Sequence, residues 1–145
     1  MRSKTLSESG ERTWAVIFDT GEEAMAGLKR FATDHHLTAS RFTAIGAFSE
    51  VVLGYFDWES KDYQRLPIDE QVEVLAFSGS LATSGDEIKV HAHAVLGKRR
   101  GDTVGGHVLR ATVFPTLEVF ISDLGAQLVR EKDAATGLML LSRMR

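Results

Sequence analysis

The stretch VHAHAVLGKRRGDTVGGH, residues 90–107, decides how the chain folds. Val90, Ala92, Ala94 and Leu96 alternate with His91 and His93, the period of a β-strand with one apolar and one polar face. GKRRGD at 97–102 reads as a turn. The two glycines, Gly105 and Gly106, allow a close backbone approach or an unusual turn, either of which can deliver His107 as a third ligand. Three of the five histidines thus fall within eighteen residues. Two readings stay open from spacing alone: a metal site, or half-buried strand histidines with backbone partners.

Working outward, RTWAVIFD at 12–19 is a strand rich in aromatic and β-branched residues. Thr20 with Glu23 forms a capping-box pattern ahead of Ala24, Met25, Leu28, Phe31 and Ala32, which predicts an amphipathic helix over 21–35. RFTAIGAFSEVVLGYFDW predicts two strands joined near Gly46–Ser49, and Tyr63–Leu66 continues the meander. Residues 70–81 form a strand, SGDE at 84–87 a hairpin turn, 87–96 the histidine strand and 117–124 another. A last hairpin joins AQLVRE to LMLLS across DAATG. Both prolines lie outside the strongest strands. The class is α+β, a curved, mostly antiparallel sheet with one principal helix. A flexible segment, 1–11, precedes a single domain, 12–145.

Composition fits that class. With 145 residues, 43% hydrophobic and 26% charged, the chain can bury a full core without staples. It has no cysteine, so disulfides and thiolate ligands are excluded and any metal takes histidine or oxygen. Neither a signal-peptide pattern nor an apolar run of membrane-spanning length is present, which makes the cytoplasm the expected location. A net charge of −3 gives no global attraction to nucleic acid.

Three neutral imidazoles suit zinc, and by ligand type also iron, nickel or copper. Three protein ligands with a fourth position open is the arrangement of catalytic zinc sites. Lys98, Arg99 and Arg100 are either a solvated hairpin or an anion hook steering a ligand toward the metal. Among Asp19, Glu50 and Glu73, which interrupt apolar strands, Glu50 beside the Gly46 bend is the candidate proton-handling carboxylate, with an exposed edge charge as its alternative. His35 and His36 at the helix C-terminus read as structural. The phenylalanines and Trp14 read as core.

In order along the chain, TGEE, AIGAFSEVVLGYFD, EVLAFSGSLA, VHAHAVLG, VGGHVLRATV, LEVFISDL and the closing R-E-x-D-x-x-T-G-L of Arg130–Leu138 resemble the PPC domain, conserved in plants and prokaryotes. The resemblance, to the stand-alone prokaryotic type, covers about Arg12 to Leu141. It implies a curved antiparallel sheet, a homotrimer, and His91, His93 and His107 in the family's metal-associated histidine positions. It also brings the family's DNA-binding label, although this chain has no R-G-R-P hook. More distantly, HxH with a third histidine is similar to the zinc site of acetolactate decarboxylase. The leading expectation is a protein binding a divalent metal, zinc first among candidates; the alternative is a metal-dependent lyase or hydrolase of a small keto or hydroxy acid or ester.

Overall fold

The computed structural model describes residues 1–7 and 11–142. Among these described residues nine strands and one helix run in the order β1 (Arg2–Ser7), β2 (Thr13–Asp19), α1 (Ala24–Asp34), β3 (Ala39–Asp57), β4 (Asp62–Ile68), β5 (Val72–Ser84), β6 (Glu87–Gly97), β7 (Thr103–Asp123), β8 (Arg130–Lys132) and β9 (Met139–Leu141). Seven strands make one antiparallel sheet in the order β1-β2-β7-β6-β5-β3-β4, and β7 also pairs with β3. That extra pairing closes β3, β5, β6 and β7 into a ring, so the sheet curls around its own core. The α+β class is therefore as expected. β8 and β9 form a separate hairpin.

Alternation builds the core. Inward residues include Phe42 and Phe48 of β3, Phe77 and Leu81 of β5, Ala92, Ala94 and Leu96 of β6, and Val113, Leu117 and Val119 of β7. Phe42 and Phe48 each meet Phe77 edge-on, with ring centroids 5.1 and 6.0 Å apart, the offset geometry that ring quadrupoles favour. On its apolar side α1 buries Ala24, Leu28, Phe31 and Ala32.

Residues 39–57 do not turn at Gly46–Ser49 but run through as one strand, β3. Gly46 takes φ +147°, and a Cβ there would collide with the Thr116 carbonyl. The irregularity is a bulge that bends a continuous strand, and glycine supplies the conformation it needs. Pro115, expected outside the strands, lies within β7 at this same place. The β3–β7 register jumps from Gly46↔Leu117 to Phe48↔Val113, so no β3 residue requires the amide that proline lacks. Pro67 likewise lies in β4, which ends the sheet on one side.

The helix starts three residues later than its capping-box pattern predicts. Glu23 is the N-cap, its carboxylate accepting from the Met25 and Ala26 amides at 3.1 and 2.6 Å. Its Oε1 also accepts from the Ala111 amide at 3.0 Å, a reach that shorter capping side chains lack. Thr20 instead donates to the Pro115 carbonyl at 2.9 Å. One carboxylate thus fixes the helix start and ties it to β7. Glu23→Ala should cost about 1–3 kcal/mol, read as a lower urea midpoint with an unchanged slope.

Residues 2–7, assigned from sequence to a flexible segment, pair with β2 as an edge strand.

Candidate metal centre

The histidine face of β6 points away from the core. Ala92 and Ala94 are buried while His93 between them is exposed and His91 is half-buried. Opposite His93 on β7 stands His107, and cross-strand partners share a face. A Cβ on Gly105 would come within 2.9 Å of the Ala94 carbonyl and one on Gly106 within 3.0 Å of the Gly54 carbonyl, so the glycines permit the close strand approach beside that rung. One ligand atom from each of the three imidazoles lies within 4.8 Å of the others.

Their chemistry fits a divalent ion. Nε2 of His91 and Nε2 of His93 are 3.2 Å apart, whereas two nitrogens about 2.0–2.1 Å from a tetrahedral zinc stand about 3.3 Å apart. Nδ1 of His107 is buried with no hydrogen-bond partner, a costly arrangement for a polar nitrogen with nothing to bind. Burial, and then His91, His93 and Arg130, push the His107 pKa down from 6.5 to about 4. Burial also lowers His91, with Arg130 and His93 adding to it. No acidic residue lines the cleft among the described residues. The His91 and His107 imidazoles therefore stay neutral near pH 7, the state a metal requires.

That depression has a pH consequence for the metal-free protein. Between about pH 6.5 and 4 the unfolded chain takes up a proton at His107 that the folded chain refuses, so stability falls as pH falls through this window. Melting temperature should drop from pH 7 to 4.5, and drop less in His107→Gln. An equal drop in both would remove His107 as a cause.

Around the histidines lies a cleft of about 310 Å³, lined among others by Tyr63, Lys89, Arg130 and Gly137–Leu140. Tyr63 of β4 stacks on His107 with centroids 4.6 Å apart. Gly54 allows this, because a Cβ there would come within 2.7 Å of the Tyr63 ring. The opposite wall is the β8–β9 hairpin. Its turn is set by Asp133, whose Oδ2 accepts from the Thr136 amide and hydroxyl, both at 2.8 Å, and by Gly137 at φ +77°. The D-x-x-T-G-L pattern is thus the local code for that wall.

Other candidates sit elsewhere. Glu50 accepts from Arg110 and Thr112, each at 3.0 Å. It lies four residues from Gly54, the β3 partner of His107, about 13 Å along the strand. It is an outer-face charge with its own partners. Arg99 and Arg100 occupy the exposed turn beyond Gly97; Arg99 lines a separate cleft with Glu70, Glu73 and Lys98. Asp19 pairs with Arg2 at 3.0 Å. His35 caps α1 and packs on Phe31 at 4.2 Å, a structural role. Sequence reasoning overlooked Tyr63, Lys89 and Arg130 as site residues. Arg130, a charge closing the apolar run AQLV, carried the one available signal.

A closed antiparallel sheet with one helix and three outward imidazoles defines a small α+β domain bearing a metal-ligand type of cluster. The model of the Plants and Prokaryotes Conserved (PCC) domain matches residues 5–125, and the chain belongs to that family. A plant- and prokaryote-conserved protein from Pyrococcus horikoshii has the same fold, with TM-score 0.87 and 27% identity over 97% of this chain and 99% of that one. A protein from Archaeoglobus fulgidus described as metal-containing is 30% identical, with TM-score 0.86 over 99% of this chain and 100% of its own. The bifunctional protein GlmU of Synechococcus sp. (strain JA-3-3Ab) is 31% identical over 143 residues; the chain spans 22% of its length. A Staphylococcus aureus protein similar to alpha-acetolactate decarboxylase, 12% identical with TM-score 0.55, shares the fold alone.

Proposed function

We propose that this domain binds one divalent metal ion, zinc first among candidates, through His91, His93 and His107, and presents it to a small molecule in the adjoining cleft. The convergence of three imidazoles with no acidic competitor lining the cleft among the described residues carries this reading. The metal-containing description of the Archaeoglobus fulgidus relative supports it. When bound, such an ion supplies Lewis acidity, polarising a carbonyl or activating water. Calorimetric titration of zinc into metal-free protein should give one site per chain, lost in the His91, His93, His107→Ala triple variant. Equal uptake by that variant would place the metal elsewhere.

The lyase or hydrolase reading is favoured by one feature: three protein ligands leave a coordination position free to face the cleft. Glu50 has no part in it. DNA binding, a provisional label on some proteins of this fold, draws little support from a chain of net charge −3 whose Lys98 is already paired with Glu70 at 2.5 Å. A phosphate-led interaction should appear as mobility shifts at low salt, and their absence would dismiss it.

The homotrimer is supported by the outer sheet face. Ile45, Leu75 and Phe120, 57%, 54% and 49% exposed, line one shallow cleft, and exposed Val95 lies two residues from His93. A contiguous apolar surface of this kind calls for a partner, and a second copy seated there would also border the histidines. Light scattering should return three times the 16.0 kDa chain mass; a monomer mass would refute the assembly.

A further inference from the structure

Arg130 is 4% exposed, and its guanidinium is only partly matched. Nη1 donates to the Met139 carbonyl at 3.2 Å and Nη2 to the Ser80 hydroxyl at 2.7 Å, while Nε has no partner. Both partners are neutral, and no carboxylate pairs with Arg130 among the described residues. The other cation of this cleft differs: Lys89 pairs with Glu87 at 2.7 Å. A buried charge without a counter-charge is expensive. Of five guanidinium N–H donors two are used and the Nε–H is shut away from the cleft, which leaves one hydrogen on each of Nη1 and Nη2 for something else.

Position says where that something lies. Ser80 is directly opposite His91 across β5 and β6, so its bond to Nη2 holds the guanidinium at the histidine rung. Arg130, His91 and His107 line the same cleft. Imidazole ligands contribute no negative charge, so a divalent ion beside Arg130 would leave a local excess of positive charge. An anion reaching both would relieve it.

We propose that Arg130 is the carboxylate-recognising group of this cleft, and that the ligand is a small 2-oxo or 2-hydroxy acid. The planar guanidinium matches the two oxygens of a carboxylate, and the neighbouring oxo or hydroxy group is the second donor, turned toward the three histidines. A cleft of about 310 Å³ is at the small end of ligand sites. This assignment rests on the metal-binding reading above, and it transfers to Arg130 the anion-steering role expected of Arg99 and Arg100.

The test is calorimetric titration of zinc-loaded protein with pyruvate and lactate, beside ethyl pyruvate and inorganic phosphate. Both acids should bind, and the ester should bind about tenfold or more weakly, the cost of losing a charge-assisted pair. Arg130→Gln should weaken pyruvate about tenfold or more with zinc content unchanged, and Arg130→Lys should recover part of the loss. Should Arg130→Gln fail to fold, the acid-against-ester comparison on the wild type decides alone. Equal binding of acid and ester, no binding of either acid, or wild-type affinity in a folded, zinc-loaded Arg130→Gln would overturn the proposal. Preference for phosphate over both acids would overturn the carboxylate class. If the wild type takes up no zinc, the metal reading fails by itself. Pyruvate is then titrated into metal-free protein, where binding lost in Arg130→Gln supports Arg130 and no binding overturns it.

Discussion

His107→Ala should lose about a hundred- to a thousandfold in zinc affinity while the domain stays folded. Structural zinc sites of four ligands have binding free energies of about 10–16 kcal/mol, so one ligand is worth roughly 3–4 kcal/mol, or two to three powers of ten. His107 can be removed cheaply because its side chain lies on the outer face against Tyr63, outside the aromatic core. Competition with a chelator of known affinity measures the loss. His35→Ala, which removes a ring packed on Phe31 and Trp14 at the C-terminal end of α1, should bind zinc as the wild type does. Loss of affinity in both variants would point to a general disturbance of the fold and not to a ligand.

Phe77→Ala should destabilise the domain by about 3–5 kcal/mol, the usual cost of deleting a buried aromatic ring. Phe77 is 1% exposed and stands between Ala44 of β3 and Ala94 of β6. The two small neighbours leave the volume its ring fills, and Phe42 and Phe48 meet its edges. Because Ser78 and His93 form the next rung, this core position also supports the strand pair carrying two of the three histidines. Urea unfolding should show a much lower midpoint with one cooperative transition. A change under about 1 kcal/mol would mean that the site collapses to fill the cavity.

Much of this was legible in the sequence because alternation is a local signal. Val90 to Leu96 fixed which side of β6 faces the core, and that placed His91 and His93 together on the other side. Gly105 and Gly106 ahead of His107 signalled a close backbone approach or a turn, whereas only residues 117–124 of β7, which runs Thr103–Asp123, read as strand. The DAATG turn was equally plain, since Asp133, Thr136 and Gly137 specify it by their own chemistry. Continuity of β3 was not legible: a glycine that permits a bulge and a glycine that permits a turn look alike until the partner strand is known. The same holds for Pro115, tolerated only because the β3–β7 register skips it. Glu23 displaced Thr20 as the cap because it also serves Ala111 on a strand 88 residues away. Arg130 and Tyr63 reach the histidines through the β8–β9 hairpin and through β4, and no spacing rule foretells such long-range contacts.

The central claim is that the three imidazoles hold a metal. Elemental mass spectrometry of the purified, tag-free protein tests it most directly, beside the folded His91, His93, His107→Ala triple variant. Close to one divalent ion per chain in the wild type and none in the variant is the expected result. A wild type without metal after zinc loading and dialysis, or equal metal in both proteins, would contradict it.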